Sequence, residues 1–110
     1  MGPVNWNRAF VSERKLRGYL LAEDHRWGKH KSVIFVALGY QIPGRLRTDL
    51  KSVVAADQPV HSATEHGAKY VVEREIVSPT GTRFLLRVVW QVDHGSSIPS
   101  LITAYPILKP

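Results

Sequence analysis

The ten residues RFLLRVVWQV, 83 to 92, constrain the fold more than any other stretch of the chain. Phe84, Leu86, Val88, Trp90 and Val92 alternate with Arg83, Leu85, Arg87, Val89 and Gln91, and a period of two sends each set to its own face of a strand. One face is apolar throughout and has to be covered. The other is mixed and can meet solvent or a ligand. AKYVVEREIV, just upstream, alternates Tyr70, Val72, Arg74 and Ile76 against Val71, Glu73 and Glu75. SPTGT lies between the two runs, with the proline and glycine of a hairpin turn. After a turn over Asp93 to Ser97, SLITAYPIL is predicted to return as the last strand, with Leu101, Thr103 and Tyr105 on a single face and with Pro106 limiting pairing beyond it. A weaker strand is expected within His61 to His66.

Before Pro59 the period is near 3.6. Ser12 is a predicted N-cap for SERKLRGYLLA, in which Leu16, Tyr19 and Leu20 form an apolar stripe that leaves Arg14, Lys15 and Arg17 outside. Val33 to Leu38 read as a short core helix closed by Gly39 in a left-handed C-cap. A third helix follows Pro43 and Gly44, carries Leu46, Leu50, Val53 and Val54 on one side, and stops before Gln58. Upstream, the first eleven residues are irregular, with Trp6 and Phe10 as anchors. The expected fold is therefore α+β, a single domain over residues 1–110, with about three N-terminal helices packed on one face of a roughly four-stranded antiparallel sheet.

Function begins with charge. Fifteen lysines and arginines against nine acidic residues give a net charge of +6, which favours polyanionic partners. Residues 1 to 57 hold ten of the basic and five of the acidic side chains, so an anion site should be built mainly from the first half. No apolar run is long enough to span a membrane, and MGPVNWNRAF lacks the apolar stretch of a secretory signal. The absence of cysteine excludes disulfides and thiolate metal sites and suits a reducing compartment. The expected location is cytoplasmic, either native or after delivery into a target cell. Neither a helical zinc motif, a calcium loop, a GxxxxGK[ST] loop nor a GxGxxG turn occurs, so no metal or cofactor is expected.

DHRWGKHKSVIFVALGY, residues 24 to 40, sets two imidazoles and two ammonium groups directly ahead of an apolar run. Metal-free RNA cleavage asks for such groups. The substrate supplies the 2'-hydroxyl nucleophile, while the protein supplies a base, an acid and donors for the charge growing on the phosphoryl oxygens. His25 and His30 can exchange protons near neutral pH, Lys31 and Lys29 can hold the phosphoryl oxygens, and Thr103 and Tyr105 can donate from the sheet. Each has a structural counterpart. A loop histidine can be a surface residue, Tyr105 can anchor the last strand, and Thr103 suits a strand by propensity.

The combination KLRGYLLAEDHRWGKHKSVIFVALGY, then RVVWQVD, then LITAYP, resembles an uncharacterised bacterial family of small stand-alone proteins and toxin C-terminal domains. The family pattern is KLxxYLLxxxHxxGxxKxxxFxxLG with a later VW and a closing TAYP, and the likeness spans residues 10 to 106. More distantly, the chain is similar to the metal-independent ribonuclease toxins related to barnase, EndoU, the RNA-cleaving colicins and RelE. The resemblance implies His25, Lys31, Thr103 and Tyr105 as the catalytic set, with Trp90 at the VW position; the basic residues Arg26, Lys29, His30 and Arg87 are the candidate RNA contacts. Where the pattern often has proline after the histidine, this chain has Arg26 and then Trp27. The function it implies is that of an endoribonuclease toxin, leaving a 2',3'-cyclic phosphate on tRNA or ribosome-associated mRNA and neutralised by an antitoxin or immunity protein. The alternative is a non-catalytic module that binds nucleic acid or protein through the same basic face.

Overall fold

The computed structural model describes residues 4–16, 35–40, 43–54 and 62–107. Its architecture is α+β. Three antiparallel strands dominate the second half, and a fourth, β1 (Ser62–Thr64), adds three residues to their edge, ahead of β2 (Gly67–Val77), β3 (Arg83–Asp93) and β4 (Ser100–Ile107). The spatial order follows the chain order. The sheet thus rests on three long strands, with β1 ending at the turn over Glu65 and His66.

The alternation in β3 emerges as expected. Phe84, Leu86, Val88 and Trp90 are buried, and opposite them on β2 lie Ile76, Arg74, Val72 and Tyr70. Burying such side chains contributes about 1.5–3 kcal/mol apiece. The same buried cluster includes Leu46, Leu50 and Val53 from the first half. Trp90 anchors the contact, since its indole N–H donates to the Val53 carbonyl at 2.8 Å, which removes the cost of an unpaired donor at zero exposure. Trp6 stands edge-on to Tyr70 and Trp90, with centroids at 5.2 and 6.2 Å.

Among the described residues of the first half, helical structure occurs at a 3-10 turn (Trp6–Arg8) within the segment expected to be irregular, at α1 (Glu13–Lys15), at residues 35–37 and at α2 (Pro43–Lys51). Ser12 caps α1 by accepting from the Lys15 amide at 3.1 Å, and Leu16 is buried; Arg17, Tyr19 and Leu20 lie outside the described residues. Gly39 closes its helix as the sequence predicts. Its φ is +96°, the Tyr40 amide donates to the Phe35 carbonyl and the Gly39 amide to that of Val36, and the Tyr40 ring packs edge-on against Phe35 at 5.7 Å. This is a Schellman ending with its apolar contact. The Thr80 hydroxyl of the β2–β3 turn then donates to the Leu38 carbonyl, tying the hairpin tip to that helix end.

Five expectations require correction. The third helix runs only from Pro43 to Lys51, so Val53 and Val54 lie past its end and not on its side. Phe10 is no side-chain anchor, being 57% exposed; its backbone holds instead, bridging in parallel to Ser100 through bonds to Pro99 and Leu101. Lys15 is not left in solvent, since its ammonium donates to the Leu101 and Ile102 carbonyls. Leu101 does not share a face with Thr103 and Tyr105. Trp90 pairs with Leu101 while Val89 pairs with Thr103, so Ile102 is the extra residue of a β-bulge that turns Leu101 into the core. Pro106, finally, does not end pairing: Ile107 still faces Leu85, which an edge strand permits because proline's missing N–H can point away from the ladder.

Candidate functional site

The second face of the sheet carries three of the residues that the sequence marked. Register places Arg87 between Glu73 on β2 and Tyr105 on β4, and Val89 between Val71 and Thr103. Cross-strand neighbours on one face lie within side-chain reach, so Arg87, Tyr105 and Thr103 are brought to one patch. Their exposures differ. Tyr105 is 40% exposed and can meet a ligand, whereas Thr103 is buried at 9%. His25, Arg26, Lys29, His30 and Lys31 lie outside the described residues.

Charge on this face is nearly cancelled. Arg87 directs Nε and Nη2 at the Glu73 carboxylate, and Arg83 lies 3.9 Å from Glu75. A polyanion would therefore draw little attraction from the described strands alone, and the cationic excess belongs to the first half. Among the described residues no three His, Asp or Glu side chains cluster as metal ligands.

Lys15 is the residue that sequence reasoning missed. Its Nζ donates to Leu101 O at 2.6 Å and to Ile102 O at 3.0 Å, so α1 is pinned to the bulge of β4. Burial holds its pKa below the ordinary lysine value, because removing water disfavours the charged form. Position 15 flanks the apolar Leu16, the one hint available; the bulge carbonyls that draw the ammonium in leave no sequence signal. Beside it opens a cavity of about 200 Å³. A second, larger cavity of about 290 Å³ lies at the far ends of β2 and β3, lined by Val4, Ala68, Tyr70 and Val92 with His94 at its rim.

Comparison with known proteins adds a family. No curated protein and no solved structure matches the chain. A family model described as a domain of unknown function, DUF6883, matches residues 4–108. That match takes in β1 to β4, α1, α2, the bulge and Lys15, and the chain belongs to the DUF6883 family.

Proposed function

We propose that this protein is a metal-independent endoribonuclease of the toxin type, cleaving RNA by 2'-hydroxyl attack to a 2',3'-cyclic phosphate. What supports the reading is one juxtaposition: Arg87 and Tyr105 are direct cross-strand partners, with Thr103 next along the same face. In this reading the N-terminal helices cover the apolar face of the sheet and leave the opposite face to RNA. His25 takes the 2'-hydroxyl proton, Lys31 holds the phosphoryl oxygens, and Tyr105 donates toward the departing 5'-oxygen. The Arg87 guanidinium, steadied by Glu73, contacts the phosphate. Arg26, Lys29 and His30 supply the long-range attraction that the balanced strands lack. An acidic antitoxin or immunity protein would oppose the same surface.

The test is incubation of purified protein with end-labelled RNA in EDTA. The reading expects fragments ending in 2',3'-cyclic phosphate, no cut beside a 2'-deoxy nucleotide, and loss of cleavage in His25→Ala and Lys31→Ala variants that remain folded by circular dichroism. Full activity in both variants would overturn it. Salt-dependent RNA binding without fragments would instead support the non-catalytic module.

A further inference from the structure

We propose that the cavity at the β4 bulge is a nucleobase subsite that takes the base of a bound nucleotide and favours bases bearing an amino group over uracil. The choice of nucleotide as ligand class rests on the ribonuclease reading. The geometry is independent of it.

Phe10, Ser12, Lys15, Gln91, Asp93 and Ser100 line this space of about 200 Å³. A phenyl ring that is 57% exposed is ordinarily free to move, yet here the backbone is fixed on both sides: the Phe10 amide donates to Pro99 O at 2.8 Å and its carbonyl accepts from the Leu101 amide at 2.9 Å. An exposed aromatic ring rooted on a fixed backbone offers a face on which a base can stack. Lys15 faces the same space. Two of its three ammonium N–H groups are directed at Leu101 O and Ile102 O, leaving one donor for a phosphate.

The polar wall is acceptor-rich. Gln91 Nε2 donates to Asp93 Oδ1 at 2.6 Å, which orients the amide and leaves Gln91 Oε1 and Asp93 Oδ2 as acceptors for a ligand. A carboxylate recognises an amino group such as the cytosine N4. Uracil fits less well, because its single ring N–H is flanked by two carbonyl oxygens that would face the carboxylate. Phe10 thus provides affinity, Lys15 the phosphate contact and Asp93 the selection.

Titration of the full-length chain with each of the four nucleoside 5'-monophosphates, followed by amide chemical shifts, tests this without requiring cleavage. CMP, AMP and GMP should shift Phe10, Lys15, Gln91 and Ser100, with UMP weaker by roughly tenfold, the scale of one charge-assisted hydrogen bond. Asp93→Asn should bring the four nucleotides together, and Phe10→Ala should weaken all of them. Both positions are exposed, so both variants should fold. If none of the four perturbs these residues at millimolar concentration, or Asp93→Asn leaves the preference intact, the subsite is refuted even where RNA is cut. Should the nucleotides bind with the stated preference while RNA stays whole, the subsite stands and the nuclease reading falls.

Discussion

The two faces of β3 share one backbone and differ in everything that the side chains do. On one, Phe84, Leu86, Val88 and Trp90 are at most 2% exposed and belong to one buried cluster with Leu46, Leu50 and Val53 of the first half. On the other, Arg83 and Arg87 are exposed, while Leu85, Val89 and Gln91 are half-buried. Close packing punishes any change of volume, whereas an exposed pair in water contributes little to stability. The first face therefore specifies the fold and the second is free to carry function. Substitutions on the two faces should separate stability from activity.

The largest effect is expected at Trp90. Trp90→Ala removes the largest fully buried side chain among the described residues, its edge-on contact with Trp6 and its bond to Val53 O, and it should cost about 3–5 kcal/mol in urea denaturation. A loss below about 1 kcal/mol would mean that this face is not the packed one. Gly39→Ala comes next. A Cβ there would lie 2.7 Å from Thr80 Cγ2 at a φ of +96°, so both the Schellman turn and the hairpin tip must shift; about 2 kcal/mol is expected in the same assay.

Tyr40→Phe tests the electrostatics of the inner side. The Tyr40 hydroxyl donates to Asp49 Oδ2 at 2.6 Å, and burial, followed by that bond and the Asp49 charge, raises the phenol's pKa far above its ordinary value of 10.0. A pKa raised on folding gives stability that is complete below the unfolded value and is lost as pH rises beyond it, because the unfolded phenol ionises first. The variant should be less stable by about 1–2 kcal/mol at neutral pH. Above pH 10 the wild type should decline more steeply than the variant, so the gap between the two unfolding curves narrows. Parallel curves from pH 8 to pH 11 would contradict the assignment.

Much of this organisation is legible in the chain, for a physical reason. Periodicity reports which residues share a face, so the alternation from Arg83 to Val92 predicts β3 and its two faces directly. Gly39 and Ser12 are equally readable, because a left-handed helix ending and an N-cap each demand particular residue types. What escapes is whatever depends on backbone atoms. An extra residue in a ladder leaves no mark on composition, so the bulge at Ile102 and the reversal of Leu101 are invisible in SLITAYPIL. The placement of Lys15 depends on that bulge, since its partners are two carbonyls that any residues could supply. Phe10 misleads because a large aromatic side chain usually anchors itself, and here the main chain does so. Of the candidate catalytic set, Thr103 and Tyr105 could be assigned to one face from their spacing. Their unequal exposure could not.

The smallest effect on stability should accompany the clearest effect on function. Arg87 and Leu86 are adjacent in β3 and point to opposite faces, so exchanging each for alanine compares the faces at one step of backbone. Leu86→Ala should cost about 2–5 kcal/mol and should alter RNA affinity only as far as the protein unfolds. Arg87→Ala breaks an exposed pair with Glu73 and should cost less than about 1 kcal/mol. Removing one phosphate contact should, however, flatten the plot of log affinity for single-stranded RNA against log salt by roughly 0.7. Glu73→Gln controls for the ion pair itself, because it frees the guanidinium without removing it and should leave that slope intact. If Arg87→Ala also leaves the slope intact, the outer face of β3 does not touch the polyanion and the division of labour between the two faces fails.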